Sequence, residues 1–215
     1  MSSPEGARPL RSDARRNHGQ ILVAARDVFV ERGPAAPLEE IARRAGVGIG
    51  TLYRRFSDRR TLMAAVVVDA LRRTAAAADE ADRAAPDGAA ALASYLHAAV
   101  DLRVAAVIPA LLGEVRHLGD QEHARDRARE SVERLVTRAR ADGSLRPDVT
   151  AADIGMLLVR LCQPLPGGLE PAAVVRLAHR HVDVVLSGLL TAGGGRPLGG
   201  PALSISELRT ISSDT

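Results

Sequence analysis

The sequence predicts an all-α protein of about nine helices, a small three-helix head containing a helix-turn-helix followed by a larger helical body. Two observations predict it. Apolar residues recur at three- and four-residue spacing along most of the 215-residue chain, the period of an amphipathic helix. Glycine and proline punctuate those runs at Gly33-Pro34, Gly46, Pro86-Asp87-Gly88 and Gly143, where helices stop.

Residues 1–12, rich in Pro, Gly, Ser and Arg, read as a flexible basic arm. Arg8, Arg11, Arg15 and Arg16 are placed to follow a nucleic-acid backbone; a solvated tail accounts equally well for Arg8 and Arg11. The head spans 13–60. Its first helix runs from Asp13 to Arg32 on a stripe of Ile21, Leu22, Ala25, Val28 and Phe29. The second begins at Ala36 or Pro37, since proline fits the first helical position, and buries Ile41, Ala42 and Ala45. Gly46 follows, where a left-handed cap needs a residue without a Cβ. Val47 packs the turn, Gly48 caps the third helix, and Leu52 and Phe56 give that helix its apolar face. Two short helices crossing through a glycine turn form a helix-turn-helix.

That motif points to duplex DNA. The third helix presents Gly48, Ile49, Gly50 and Thr51 at its N-terminal end, all small enough to enter a groove, while Tyr53, Arg54 and Arg55 flank them within reach of phosphates. Direct readout of base edges uses Arg, Asn or Gln donors, and this helix start has none. Arg43, Arg44 and Arg54 are therefore the guanine-reading candidates, with a solvent-charge reading equally open for Arg44 and Arg54. Arg59 completes the basic set, and for Tyr53 a packing role is the alternative.

The body spans 61–191. Ser57 or Asp58 caps a long helix reaching about Ala85, with Leu62, Met63, Val66, Val67, Ala70 and Leu71 buried. Its first-turn cations, Arg59 and Arg60, oppose the helix dipole unless an anion lies nearby. The next helix carries Leu92, Tyr95, Leu96 and Val100 and continues to Pro109, which should kink or end it; a short helix from Ala110 to His117 follows. A charge-rich helix covers 121–141. Thr150 and Asp153 form a capping-box pattern that opens a helix to Leu165, and Pro171 opens the last one, to Leu190. These two are apolar nearly all round, so they should be buried on several sides. Ile154, Leu157, Leu158 and Leu161 with Val174, Val175, Val182, Val185, Leu186 and Leu189 are the candidate subunit contact. Residues 192–215, rich in Gly, Pro and Ser, read as a disordered tail.

Charge distribution agrees with a DNA partner. All 29 basic residues are Arg, a usage that fits codon bias in a GC-rich bacterial genome, and the net charge is only +3. Residues 1–60 carry 12 Arg against 7 acids, leaving 17 Arg against 19 acids in the remainder. A basic end on a mildly acidic body suits attraction to phosphate. The single Cys162 fits a reducing cytoplasm. No apolar run reaches membrane-spanning length and no signal peptide opens the chain, so the expectation is a cytoplasmic protein, nucleoid-associated when bound to DNA.

The residues from Ile41 to Phe56 (Ile-Ala-Arg-Arg-Ala-Gly-Val-Gly-Ile-Gly-Thr-Leu-Tyr-Arg-Arg-Phe), with Ile21 to Phe29 and Gly33 upstream, resemble the DNA-binding domain of the TetR family of bacterial transcription regulators. The resemblance covers about Arg15 to Val68. It implies a homodimer on a palindromic operator, with two C-terminal helices from each subunit forming a four-helix bundle. It also implies phosphate contacts by Thr51 and Tyr53, and a small-molecule effector held in the helical body, whose binding releases a repressor from DNA. This chain departs from the family pattern where Pro37-Leu38 replaces a capping hydroxyl, where Gly48 replaces Ser, and where Arg55 and Arg59 replace His and Lys.

Polar groups on apolar stretches supply the effector candidates Tyr95, His97, Arg103, Glu114, His117, Arg160 and Gln163, against an ordinary helix-surface reading for most of them. Catalytic and metal readings fail. His179 and His181 face different sides of a helix, Glu114, His117 and His123 straddle Gly119 without a fourth ligand, and Cys162 sits in an inert apolar stretch. No cofactor is expected. Two alternatives remain: a constitutive DNA-binding regulator or activator without an effector, and a helical enzyme or interaction module with a vestigial head.

Overall fold

The computed structural model describes residues 7–115, 121–163, 170–190 and 198. Among them the fold is all-α, with nine helices and no strand: α1 (Ala7–Arg32), α2 (Leu38–Arg44), α3 (Ile49–Arg55), α4 (Arg59–Ala84), α5 (Gly88–Asp101), α6 (Val104–Leu112), α7 (Gln121–Ala141), α8 (Ala151–Leu161) and α9 (Pro171–Leu189). No single helix among the described residues is long and apolar enough to cross a membrane.

Helix α1 begins at Ala7, so residues 7–12 are helical where an arm was expected. Pro9 does not prevent this, because in the first turn its missing N–H has no intrahelical partner to lose. Gly33, at φ +78°, ends the helix as its sequence position predicts. Ile21, Ala25, Val28 and Phe29 are fully buried in one core with Ile41 of α2 and Leu52 of α3, so α1 is the platform on which the motif is built. Helix α2 starts at Leu38, with Pro37 as its cap in extended conformation and no side-chain cap bond. Glu39 and Glu40 in its first turn face the positive end of the helix dipole.

The longest packing runs between α4 and α7. Ala70, Ala75, Ala78 and Ala81 of α4 and Ala128 and Ala139 of α7 are buried, and their small side chains let the two backbones approach. Arginines of α7 fasten the far end of α4. Arg127 and Arg134 both donate to the Asp79 carboxylate, at 2.8 and 2.6 Å. Arg138 bonds the Asp82 carboxylate at 3.0 Å and the Ala85 carbonyl at 2.9 Å. Helix α5 then enters against α7 through Gly88, whose N–H donates to Asp142 at 2.7 Å.

The break after α5 falls at Arg103 and not at Pro109. Arg103 is the one non-glycine residue of positive φ among those described, at +52°, and it caps α6, which leaves α5 at 57°. Pro109 lies inside α6, where it removes one intrahelical bond without ending the helix. The helix expected over Ala110–His117 is therefore the end of α6, which stops at Leu112; His117 and Gly119 lie outside the described residues.

Thr150 makes the capping box that its sequence predicts: its hydroxyl accepts from the Asp153 N–H while the Asp153 carboxylate accepts from the Thr150 N–H at 2.9 Å. Helix α8 ends at Leu161, short of the expected Leu165, which lies outside the described residues. Helix α9 packs on α5 and α8. Of the candidate subunit contact, Ile154, Leu158, Val182, Leu186 and Leu189 are buried in the chain's own core. The half-buried or exposed members are Leu157, Leu161, Val174, Val175 and Val185, and Val184, omitted from that set, is 62% exposed. The expected tail over 192–215 falls outside the described residues except for Leu198.

Candidate nucleic-acid interface

The turn between α2 and α3 is a Schellman motif. Gly46 adopts φ +66°, its N–H donates to the Arg43 carbonyl at 3.2 Å, and the Val47 N–H donates to the Ala42 carbonyl at 3.0 Å. Gly48 then caps α3 with extended backbone, and its carbonyl accepts from the Thr51 N–H at 2.8 Å. Leu52 and Phe56 anchor α3 from below, each almost fully buried, and His18 of α1 stacks on the Phe56 ring. Burial, with the nearby Arg55 charge, lowers the His18 pKa.

With its inner face fixed, α3 presents Gly48, Ile49, Gly50, Tyr53, Arg54 and Arg55 outward, and Thr51 is half-buried at its start. Tyr53 is 49% exposed. That is more than a packing role alone requires of an aromatic ring. A Cβ at Gly48 or Gly50 would meet nothing within 4 Å, so the small size of these residues serves the outer surface and not internal packing. Arg54 donates to the Thr51 hydroxyl at 3.0 Å, a neutral acceptor it can exchange for another.

The remaining cations divide by partner. Arg43 is largely exposed, 3.7 Å from Glu40. Arg44 is held by two acids, donating to Glu31 at 2.6 Å and Glu40 at 3.1 Å. Its hydrogen bond holds the Glu31 carboxyl below the ordinary carboxylate value. Glu40 is the organiser that the sequence reading missed: its side chain is nearly buried and also takes Arg32 at 2.7 Å. Arg59 turns inward. Its guanidinium donates to the carbonyls of Pro34, at 3.0 Å, and Ala36, closing the loop between α1 and α2. Both bonds leave one guanidinium nitrogen, Nη1, which bridges the two carbonyls, so Arg59 holds the motif and does not stand free beside it.

The effector candidates do not converge. Tyr95 is buried, its pKa pushed up by desolvation, with the Cys162 thiol beside it. Burial pushes the Cys162 thiol up to about 11, as an inert cysteine requires. His97 bonds across to α9, and Arg103 lies 3.9 Å from Asp27 and 4.0 Å from Glu31 of α1. Glu114, Arg160 and Gln163 are exposed, and His117 lies outside the described residues. A cleft of about 590 Å³ lies between α1, α2 and α4, and another of about 520 Å³ on α7; none of these residues lines either.

Comparison with known proteins places this geometry. Residues 21–66 match the family model described as bacterial regulatory proteins, tetR family, and residues 87–191 match that of the transcriptional regulator SbtR-like C-terminal domain. The solved TetR transcriptional regulator SCO0520 from Streptomyces coelicolor is 30% identical with a TM-score of 0.60, the match covering 81% of this chain and 99% of that one. The TetR transcription regulatory protein from Mycobacterium vanbaalenii is 32% identical with a TM-score of 0.59, over 85% of this chain and 100% of that one. The HTH-type transcriptional activator FasR of Mycolicibacterium smegmatis is 51% identical over 59 residues. That match takes 27% of this chain and spans about a quarter (26%) of the curated relative. Proteins of this family are DNA-binding regulators and not enzymes. A helix-turn-helix with an exposed, small-residue reading helix, set on an all-α body matched along its length, shows that this chain belongs to the TetR family of bacterial transcription regulators.

Proposed function

We propose that the protein is a repressor that binds a palindromic operator as a homodimer and is released by a small molecule. Helices α1–α3 serve as the DNA-binding unit and α4–α9 as the effector-binding and dimerisation unit. The observation that carries this reading is the outer face of α3, where Gly48, Ile49 and Gly50 stand open beside Tyr53 and Arg54 over a locked core. In it, Ile49 and the two glycines approach base edges while Thr51, Tyr53, Arg43 and Arg55 take phosphates. Arg54 is the guanine-reading donor.

The apolar surface of α8 and α9 supports the dimer: Val175 and Val184 are exposed, and Leu157, Leu161, Val174 and Val185 are only partly buried. Two-fold pairing on that face predicts two half-sites whose centres lie one helical turn apart or a multiple of it. Effector and operator then bind different conformations, each weakening the other by the same coupling free energy, about 1–3 kcal/mol. Arg103 gives that coupling a route. It sits at the bend between α5 and α6, reaches Asp27 and Glu31 of α1, and through Glu31 meets Arg44 beside the reading helix.

An activator is the second reading, favoured by the 51% identity of the head to a relative named as an activator. Selection of bound fragments from a random duplex pool tests the main reading, which requires a palindrome; recovery of no symmetric site overturns it. In vitro transcription from the recovered site then decides between repression and activation.

A further inference from the structure

Away from the DNA-reading surface, α5 and α9 meet through two histidines and two aspartates. The Nδ1 atoms of His97 and His179 lie 2.8 Å apart. Their ring centroids are 5.1 Å apart and the ring planes differ by 22°. The centroid separation exceeds the nitrogen separation by the full sum of the two ring radii, the most that this nitrogen contact allows. The rings therefore lie end to end and nearly coplanar, nitrogen facing nitrogen, and are not stacked face to face. The outer nitrogens are also held: His179 Nε2 lies 2.8 Å from an Asp101 carboxylate oxygen, and His97 Nε2 lies 3.1 Å from one of Asp183.

The proton count follows from this geometry. An ionised carboxylate only accepts hydrogen bonds, so each Nε2 must carry a hydrogen. The two Nδ1 atoms then share one contact. With no further proton, two lone pairs face each other at 2.8 Å. With two further protons, two N–H groups do. One proton satisfies the contact, giving three hydrogens for three hydrogen bonds and a single positive charge over both rings. A metal ion cannot take its place. Metal–imidazole bonds of about 2.0–2.1 Å would set the facing nitrogens at least about 3.3 Å apart at a tetrahedral ion.

We propose that His97 and His179 form a proton-binding site that docks α9 onto α5 in its singly protonated state. As pH rises, loss of the shared proton leaves facing lone pairs. As pH falls, a second proton leaves facing N–H groups, so docking weakens on both sides. The two histidines are about one-third exposed, which lets the proton exchange with solvent. Asp101 on α5 and Asp183 on α9 are the charged groups bonded to the rings, and both favour the positive charge. Arg176, Arg180 and His181 on α9 and Asp153 and Arg160 on α8 make no bond to either ring, and Arg103, following α5, turns to Asp27 and Glu31. The docking lies within one chain; any effect on subunit pairing rests on the reading of α9 given above.

Nitrogen NMR of the histidine side chains in the full chain, titrated from about pH 5 to 9, tests the site directly. Both rings should hold the Nε2–H form and titrate together. A double-mutant cycle with His97→Gln and His179→Gln, read as Tm, should show a coupling of about 2–4 °C at its maximum within the titrated range, falling away toward both ends. Independent single-site titrations, or a coupling of the same size at every pH, would overturn the proposal. The wild-type titration needs no variant, so it decides the matter even where a substitution prevents folding.

Discussion

Arg44 donates to Glu31 at 2.6 Å, joining the last turn of α2 to α1 and engaging one of the three arginines that could read guanine. Arg54, by contrast, is bonded to a neutral hydroxyl that it can leave. The expected outcome is that Arg54→Ala weakens binding to a selected operator by about 1–3 kcal/mol. Arg44→Ala should weaken it by less than about threefold while lowering Tm, because a half-exposed pair of this kind stabilises by at most about 1 kcal/mol. The pair also has a pH signature. Glu31 is held below its ordinary value, so its contribution is present above about pH 4.3 and is lost as pH falls. Arg44→Ala should flatten that acid limb. Fluorescence anisotropy and thermal melts check all three, and a larger binding loss for Arg44 than for Arg54 would reverse the assignment.

Arg59 bonds the Pro34 and Ala36 carbonyls, just before a helix whose cap, Pro37, offers no hydroxyl. Its removal should loosen the entry to α2 and cost about 1–3 kcal/mol, as for hydrogen bonds from a charged donor. Arg59→Ala should therefore lower both Tm and operator affinity, yet leave the salt dependence of binding unchanged. A phosphate-contacting cation would instead lower the salt slope by about one. Arg59→Lys should rescue in part, since both bonds leave one nitrogen and an ammonium also carries several donors. Affinity measured across a salt series separates the two roles.

The contrast between Gly46 and Arg59 shows what the sequence makes legible. Gly46 follows a periodic apolar run, and its left-handed conformation is the one expected there because the restriction is local. The capping box of Thr150 and Asp153 is legible for the same reason. Arg59 bonds backbone carbonyls, which every residue carries, so no residue pattern announces its partners. The break at Arg103 is equally silent: a left-handed non-glycine residue has no compositional mark, and Pro109 draws attention away from it. The α9 stripe is legible as apolar, but which valines meet the chain's own core depends on how α5 and α8 are set beside it. Val182 and Val184 are alike in sequence and opposite in burial.

Two glycines with different surroundings make a paired prediction. A Cβ at Gly88 would stand 2.3 Å from the Ala139 Cα, a backbone atom that cannot move aside alone. Alanine gains up to about 1 kcal/mol in helix propensity, but overpacking of this kind costs about 1–3 kcal/mol, and a contact this close belongs at the upper end. Gly88→Ala should therefore destabilise, with α5 lifting from α7. At Gly50 the space is open, so alanine should stabilise α3 by up to about 1 kcal/mol while lowering operator affinity through the added methyl on the reading face. Denaturant melts and anisotropy should show the opposite signs of stability at the two positions.

Val184 and Val182 test the subunit contact proposed for α9. Val184 is 62% exposed and Val182 fully buried, two residues apart on α9. A charge at an exposed position changes the stability of one chain by less than about 0.5 kcal/mol. A charge within an apolar subunit contact instead disrupts assembly, because its desolvation goes uncompensated. Val184→Glu should thus leave the far-ultraviolet spectrum intact but shift the molecule from dimer to monomer in sedimentation velocity, with operator affinity falling as the two heads lose their linkage. Val182→Ala should do the reverse, losing about 2 kcal/mol of stability with the dimer retained where the chain folds. A Val184→Glu protein that remains dimeric and binds the operator as before would place the subunit contact away from this face of α9.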